Sequence, residues 1–318
     1  MYVETELFDI LAGVLQGDTL APYLFIIALD YCMRQALSKH PDIGFTITPR
    51  QSRRVQAVRV SDTDFADDLA LTTDTVAEAE KLTQEIERMA ATVGLQMNEG
   101  KTKFMTQNIE NPGTIKTLSN KTIERVEDFT YLGSRLRSTE AEIRVRKGKA
   151  WGACHKLKEL WKSDLRKPIK IRVFTALVES VLLYGSETWT MTKKLTKMVD
   201  GCYTRMLRMA LNVNQWRDRV SNQALYDNLP KVTSKITQRR LKLAGHAHRH
   251  PELTLNKLIL WEPQHGQANR GRPHTTYLDN LKEDTGLKSV EEIARLMEDR
   301  KLWRTFVVKA RVHYADTT

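Results

Sequence analysis

The sequence has few cysteines and no long apolar segment. Its three cysteines, Cys32, Cys154 and Cys202, lie far apart and form no CxxC pair, which excludes a disulfide framework and favours a reducing compartment. The longest apolar run, Tyr23 to Tyr31, is interrupted by a carboxylate and is too short to cross a bilayer. No secretory signal is visible at the N-terminus. We therefore expect a protein of the nucleus or cytosol, neither secreted nor held in a membrane.

The composition is strongly basic. The chain has 318 residues, with 50 Lys and Arg against 39 Asp and Glu, and a net charge of +11. This excess of positive charge favours a polyanionic partner, and nucleic acid is the first candidate. The length allows two or three domains, and no internal repeat is visible.

The most informative stretch is the acidic segment from Ser61 to Leu71. Four aspartates fall within seven of its positions, and alternating apolar residues on both sides predict two strands. The step Ala66-Asp67-Asp68 predicts a tight turn, so a hairpin would carry the carboxylates of Asp67 and Asp68 at its tip. Two such groups repel each other, and Mg²⁺ is the usual compensation. The alternative is an ordinary acidic turn on the surface.

The segment GVLQGDTLAP, residues 13–22, precedes this hairpin. Its glycines permit close backbone approach, and it leads into a helix predicted from Ala21 to about Lys39. The amide of Gln16, flanked by flexible backbone, suits contact with a base or sugar, although a plain loop before a capped helix is the alternative. The apolar stripe of the helix is predicted to consist of Leu24, Ile27, Ala28, Tyr31 and Ala36.

Three further elements follow the hairpin. An amphipathic helix is predicted from Thr75 to Val93, ended by Gly94. The stretch from Leu95 to Met105 predicts strand, turn and strand, with Lys101 at the turn, where its ammonium could reach a phosphate or simply be solvated. A short strand pair with a glycine bend is predicted over residues 126–133.

The stretches GVLQGDTLAP, FADD, GLQMNEGKTKFM and FTYLG occur in this order. Their order and spacing resemble the palm of reverse transcriptases from non-LTR retrotransposons (LINEs), most of all the RTE-type elements. The resemblance implies RNA-directed DNA polymerase activity, a nucleotidyl transfer, with Mg²⁺ (or Mn²⁺ in its place) as cofactor. It also implies an RNA template, a DNA primer and dNTPs as partners and substrates.

The resemblance assigns roles to matched positions. Asp67 and Asp68 match the metal-binding carboxylates, and Phe65 is the aromatic residue of their motif. Lys101 matches the lysine proposed to assist the pyrophosphate leaving group. Contact with template or nucleotide is implied for Gln16 and Gly17, and primer contact is implied for the segment from Tyr131 to Gly133.

The chain departs from the family in one respect. Such polymerases use a third carboxylate on a strand upstream of GVLQGD, and Glu4, Glu6 and Asp9 do not stand in its motif. We therefore expect the C-terminal part of a reverse transcriptase that lacks the fingers and the first catalytic strand. A missing N-terminal polymerase or endonuclease portion would be a partner. The alternatives are a catalytically inactive nucleic-acid-binding remnant and an unstable relic.

From about Ser138 the pattern becomes helical and basic. Helices are predicted after Ser138, after Pro168 through Ile171, Phe174, Leu177, Val181 and Tyr184, from Lys193 to Leu211, from Tyr277 to Gly286 and from Val290 to Arg311. Arg144 and Lys147 lie in a basic stretch that resembles a polymerase thumb gripping duplex backbone, with a solvated face as the alternative. His246, His248 and His250 favour nucleic-acid contact or a satisfied helix end over zinc, because no cysteine lies near.

The expected fold is α+β. A partial polymerase palm, an antiparallel sheet with helices, would span residues 1–137. A helical thumb-like region would span residues 138–235, and a small, basic helical module would span residues 236–318.

Overall fold

The fold is taken from a computed structural model, which describes residues 13, 17–107, 109, 111–262 and 275–313, with side chains up to residue 308. The chain divides into two compact units, Met1–Glu127 and Asp128–Thr318. Both combine helices with short two-stranded sheets. The predicted α+β class is confirmed at this level. The sequence also predicts a linker at residues 263–268 and a basic loop at residues 269–273, and both lie outside the described residues.

Unit 1 is built on two packed helices, α1 (Ala21–Ser38) and α2 (Val76–Thr92). A reciprocal capping box between Thr75 and Glu78 starts α2, which satisfies backbone donors that a helix start leaves open. The strands of the unit are β1 (Phe45–Thr48), β2 (Val58–Val60), β3 (Asp62–Phe65), β4 (Asp68–Leu71), β5 (Lys103–Phe104) and β6 (Glu124–Arg125). The small core of this unit consists of Met33, Ala36, Ile43, Leu82 and Ile86.

Helix α1 turns a different face inward than the sequence predicts. Its buried residues are Ala21, Cys32, Met33 and Ala36. Of the predicted stripe, Leu24, Ile27 and Tyr31 are exposed. The prediction is confirmed for Ala36 and wrong for Leu24, Ile27 and Tyr31. Apolar residues surround most of this helix, so periodicity alone does not select the buried side.

The strands of unit 1 pair locally. β1 pairs with β2 and β3 pairs with β4, both antiparallel, whereas β5 pairs in parallel with β6. The sequence predicts a strand before the turn at Lys101, but residues 95–97 form no strand in the structure. Asn98 instead organises a turn there: its main-chain oxygen accepts from Thr102 N at 2.9 Å, and its side chain accepts from Lys101 N at 3.1 Å.

Unit 2 begins with a hairpin of β7 (Thr130–Tyr131) and β8 (Ser134–Arg135) and is otherwise helical. The helices are α3 (Thr139–Lys156), α4 (Lys158–Lys162), α5 (Lys167–Phe174), α6 (Ser180–Leu182), α7 (Lys193–Ala210), α8 (Gln215–Asp218), α9 (Asn222–Tyr226), α10 (Val232–His248), α11 (Thr254–Ile259), α12 (Tyr277–Thr285), α13 (Val290–Glu298) and α14 (Arg300–His313). Ser138 caps α3 as predicted. The first core of the unit includes Ile143, Trp161, Phe174, Tyr203 and Leu207.

One turn of π-helix, Thr175–Glu179, follows α5. The sequence predicts Leu177 and Tyr184 on the buried face, but both are about half exposed, and Val178 and Leu182 are buried instead. A π-turn accommodates one extra residue. It therefore shifts the buried face by one position along the chain.

A second core in unit 2 joins α10 to α12, α13 and α14. Helix α14 approaches α10 closely at Gly245, where an added Cβ would lie 2.2 Å from Trp303 Nε1. The indole donates to Leu241 O at 2.9 Å. A buried ion pair of Arg240 and Asp284 links α10 to α12. Helix α10 runs without a break across the domain boundary predicted at residues 235 and 236.

The cysteines are buried and reduced. Cys32 lies in unit 1, and Cys154 and Cys202 lie in unit 2, each with no exposed surface. Burial raises the pKa of the Cys154 thiol to about 11. Among the helices of the described ranges, none is long and apolar enough to cross a membrane.

Candidate functional site

The acidic hairpin has the predicted geometry. Phe65 pairs with Asp68 across the two strands, so Ala66 and Asp67 form a two-residue turn. Ala66 adopts a φ of +56°, a left-handed conformation that costs a residue with a side chain about 1–2 kcal/mol. Asp67 and Asp68 are both exposed at the tip, so their carboxylates face solvent at the turn.

Three of the four aspartates lie in the strands, and they occupy two faces of this hairpin. Asp62 and Asp64 stand opposite Leu71 and Leu69, and these leucines pack on the core of unit 1. Asp68 lies on the other face, because residues directly opposite each other in antiparallel strands share a face. The sequence predicted the pair at the tip, and the strand register adds a second pair, Asp62 and Asp64, which we call the inner pair.

The inner pair is electrostatically strained. Partial burial, followed by the neighbouring Asp62 carboxylate, raises the pKa of Asp64 to about 7, and Asp30 on α1 adds to the rise. A hydrogen bond from the backbone of Ala70 opposes it. Like charges this close disfavour full ionisation. The spacing of Asp62 and Asp64 could have revealed this pair, since residues i and i+2 of a strand share a face.

The tip carboxylates have the chemistry of a hard-cation site. Mg²⁺ in phosphoryl-transfer sites is typically held by one or two carboxylates together with substrate phosphates and water. Asp67 and Asp68 match that donor set. Within the described ranges, no group of three or more His, Cys, Asp or Glu side chains could hold a metal by itself. A metal at this tip would therefore need ligands beyond the side chains described.

Two other predicted contacts lie elsewhere in unit 1. Lys101 is exposed on the turn that Asn98 organises. Gly17 is exposed with a φ of +97°, which favours glycine, and an added Cβ would meet no atom within 4 Å. Gln16 lies outside the described residues.

The hairpin that carries Tyr131 and Gly133 is held by helix α3. Arg146 donates to Gly133 O, and its Nε lies 2.5 Å from Glu142 Oε1. The other oxygen of Glu142 accepts from Arg135 N at 2.8 Å. Arg146 and Glu142 are both buried, so a buried ion pair holds the β7–β8 turn in place.

A second clamp comes from Tyr184, whose hydroxyl donates to Leu132 O at 2.9 Å. Leu132 and Gly133 both have positive φ, 47° and 80°, as tight hairpin turns require. The sequence analysis placed Tyr184 on the apolar face of a predicted helix and assigned neither Arg146 nor Tyr184 a role in this turn. The available signal was an arginine four residues after a glutamate in a predicted helix.

The basic residues predicted on α3 differ in their surroundings. Arg144 is exposed but pairs with Glu140 at 2.6 Å, and Glu140 also binds Lys194 at 3.0 Å. Lys147 is half-buried and has no ion pair with a carboxylate of the described chain. Arg144 also lines an open cleft of about 460 Å³, together with Asp128, Arg135, Arg137, Ser138 and Glu140.

The histidines at the end of α10 have partners. The rings of His246 and His250 lie 4.4 Å apart, and His250 Nδ1 lies 2.7 Å from Glu252 Oε1. This arrangement agrees with the satisfied helix end that the sequence analysis weighed against zinc.

Comparison with known proteins supports the first part of the chain as a reverse transcriptase domain. Residues 4–136 match the family model described as reverse transcriptase (RNA-dependent DNA polymerase). A transposon-derived protein of Caenorhabditis elegans is 26% identical over 267 residues, which cover 79% of this chain and 96% of that protein. Together they support a retrotransposon reverse transcriptase. No solved structure matches the chain.

Proposed function

We propose that this chain is the C-terminal part of a non-LTR, RTE-type retrotransposon reverse transcriptase. In this proposal residues 1–137 form part of the polymerase palm, residues 138–235 a thumb and residues 236–318 a basic accessory module. The observation that carries it is the β3–β4 hairpin, which presents Asp67 and Asp68 at its tip within the segment that matches the reverse transcriptase family.

The proposed reaction is attack of a primer 3′-hydroxyl on the α-phosphate of a dNTP. Mg²⁺ held by Asp67 and Asp68 would supply charge neutralisation at the reacting phosphate. The Lys101 ammonium would assist the departure of the pyrophosphate. Gln16, Gly17 and Phe65 would contact template and nucleotide. Every one of these roles comes from the family resemblance and is tested by substitution.

The proposed primer contact is the β7–β8 turn. Tyr131 and Gly133 would position the primer end, and the Arg146 and Tyr184 clamps would keep that turn in place. Rigid support suits this role, because small errors in the placement of a reacting group cost large factors in rate. The neighbouring Arg144 and Lys147 would contact the duplex backbone independently of sequence.

The proposal includes a further polymerase portion that would supply the third carboxylate. Helix α1 exposes Tyr23, Leu24, Ile26, Ile27 and Tyr31, and Leu20, directly before the helix, is also exposed. A contiguous exposed apolar surface indicates a site that another segment or molecule covers. A polymerase portion carrying the third carboxylate would meet this need, in the same protein or as a separate chain. Without it, we expect extension by this chain to be slower by several orders of magnitude.

A catalytically inactive nucleic-acid-binding remnant is the second candidate. The net charge of +11 and the arginines of the α3 cleft favour it as much as they favour the polymerase. The two candidates differ in their need for Mg²⁺ and for Asp67. Binding through phosphates would depend on salt and would hardly respond to substitution of Asp67.

The deciding experiment is primer extension. The purified chain would receive an RNA template, a DNA primer, dNTPs and Mg²⁺, beside an Asp67→Ala/Asp68→Ala variant and an Asp62→Asn control from the inner face of the same hairpin. Extension that the double variant loses by about 10³-fold or more and the control keeps supports a polymerase. Extension that survives in the double variant rejects the assigned site.

Duplex binding by the same purified protein distinguishes an inactive binding protein from a polymerase. Absence of even slow extension during prolonged incubation, with salt-sensitive binding of the primer–template duplex retained, would select the binding protein. Lys147→Gln should then reduce the slope of log affinity against log salt by about one. Absence of binding at any salt concentration would reject both candidates.

A further inference from the structure

Trp216 is 89% exposed. Of the six tryptophans, Trp161, Trp189 and Trp303 are buried, and Trp151 and Trp261 are half-buried. Tryptophan is highly buried on average in folded proteins. An indole with nearly all of its surface in solvent therefore needs a reason beyond the packing of this chain.

The backbone that carries Trp216 is fixed from within its own turn. Asn214 Oδ1 accepts from Trp216 N at 2.9 Å and from Arg217 N at 3.1 Å. Asp218 Oδ2 accepts from Asn214 N at 2.7 Å. These hydrogen bonds hold the backbone in place on both sides of Trp216.

The core of unit 2 holds the downstream end of this segment. The buried Arg208 donates through Nη2 to Val220 O at 2.9 Å and to Asn222 Oδ1 at 2.8 Å. A stiff aromatic side chain on an anchored backbone loses little conformational freedom when it binds a partner. The segment therefore holds the backbone of Trp216 in place before a partner binds.

The charge around Trp216 is positive. Within the turn that carries Trp216, Arg217 is balanced by Asp218 at 2.7 Å, whereas Arg219 is exposed and pairs with no carboxylate in the described part of the chain. Arg219 also has a φ of +49°, and strained backbone of this kind is concentrated at functional sites. A positive surface beside a flat aromatic ring favours a polyanion that carries aromatic rings over an apolar protein face.

We propose that Trp216 is a stacking platform for a base of single-stranded nucleic acid, with Arg219 contacting an adjacent phosphate. The proposal deepens the nucleic-acid function proposed above and rests on it. Stacking of a base on an aromatic side chain tolerates any sequence, because every base has a π-face. The site lies on unit 2 and uses none of the residues assigned to the polymerase reaction.

The test compares two strands that differ only in their bases. The full chain would be titrated with oligo(dT) of about 12 nucleotides, within the span of one single-strand site, and with an abasic strand of equal length and charge. We expect wild-type protein to prefer oligo(dT) by about 5- to 100-fold. Trp216→Ala should abolish this preference and leave affinity for the abasic strand unchanged, and Trp216→Tyr should restore most of it.

Two further readouts identify the contact. Oligo(dT) should quench tryptophan emission in the wild type, and Trp216→Ala should remove most of that quenching, because the other tryptophans are buried or half-buried. Arg219→Gln should weaken both strands by a similar factor, because it acts on phosphate.

The outcomes separate this inference from the function on which it rests. Equal affinity of the wild type for both strands, or a preference that survives in Trp216→Ala, would overturn the stacking platform and leave nucleic-acid binding intact. Failure of the wild type to bind either strand would overturn both. Self-association that Trp216→Ala abolishes, without any base preference, would assign Trp216 to a protein contact and overturn the inference.

Discussion

The guanidinium of Arg146 lies over the ring of Tyr184, with 4.2 Å between Arg146 Cζ and the ring centroid. The same two side chains bind consecutive main-chain oxygens of one turn, those of Gly133 and Leu132. A cation–π contact and two hydrogen bonds therefore converge on the tip of the β7–β8 hairpin. Since Arg146 also pairs with the buried Glu142, the loss of any one partner affects the whole group.

Arg146→Ala should destabilise unit 2 by about 3–5 kcal/mol, because it leaves the Glu142 carboxylate buried without its cation. Urea unfolding followed by tryptophan emission would measure the change. The matched control is Arg144→Ala on the same helix, which breaks an exposed pair and should cost at most about 1 kcal/mol. A loss in Arg146→Ala no larger than in the control would contradict the clamp.

Asp64 should make the stability of unit 1 depend on pH. Its pKa is raised to about 7 in the folded protein, whereas an unfolded aspartate titrates near 3.9. The folded state therefore binds the extra proton, and its contribution to stability is fully present below about pH 4 and is lost as the pH rises through 7. Amide exchange of the β3–β4 hairpin, corrected for intrinsic rates, would show the decline.

Asp64→Asn should flatten this pH dependence and slow amide exchange at pH 8. Asp62→Asn should lower the midpoint of the Asp64 carboxyl in an NMR titration, because the neighbouring carboxylate is removed. A midpoint of Asp64 near 4 in the wild type would refute the strained inner pair.

Ala66→Gly should stabilise the β3–β4 hairpin by about 1 kcal/mol, because glycine adopts the observed positive φ without the steric cost that alanine bears. Part of the gain is offset by the greater freedom of glycine in the unfolded chain. Ala70→Gly in β4 is the control and should destabilise by about 0.5–1 kcal/mol. Amide protection of residues 62–71 would measure both, and a loss in Ala66→Gly would argue against the left-handed turn.

Gly245→Ala should destabilise the α10–α14 contact by about 1–3 kcal/mol, because the new methyl group would collide with the Trp303 indole. Gly152→Ala in α3 is the counterpart, since its Cβ meets nothing within 4 Å. It should stabilise by up to about 1 kcal/mol through helix propensity. Thermal unfolding of the two variants should shift in opposite directions, and equal shifts would exclude the close approach.

Local signals in the sequence predicted much of the secondary structure. The alternation around Asp67 predicted the β3–β4 hairpin, and Thr75 and Ser138 marked the starts of α2 and α3. Helix α7 was predicted from Lys193 to Leu211 and is observed as Lys193–Ala210. Each of these signals depends on residues that are neighbours along the chain.

The errors and omissions have causes that local sequence patterns do not reveal. The π-turn at Thr175–Glu179 moved the buried face from Leu177 to Val178, and periodicity assumes an uninterrupted helical pitch. The parallel pairing of β5 with β6 joins segments far apart in the chain. The clamp of Arg146 on Gly133 O likewise depends on how α3 packs against the hairpin, which no local pattern encodes.

The rate at which each of the three cysteines is alkylated reports how often the surrounding half of the molecule opens. Each thiol is inaccessible in the folded state, and burial raises the pKa of all three, so alkylation must wait for an opening event. Cys32 reports on the half that carries the Asp67 hairpin, and Cys154 and Cys202 report on the half that carries Trp216. The wild-type chain can therefore reveal, without any introduced label, which half loosens first and which half a bound nucleic acid holds closed.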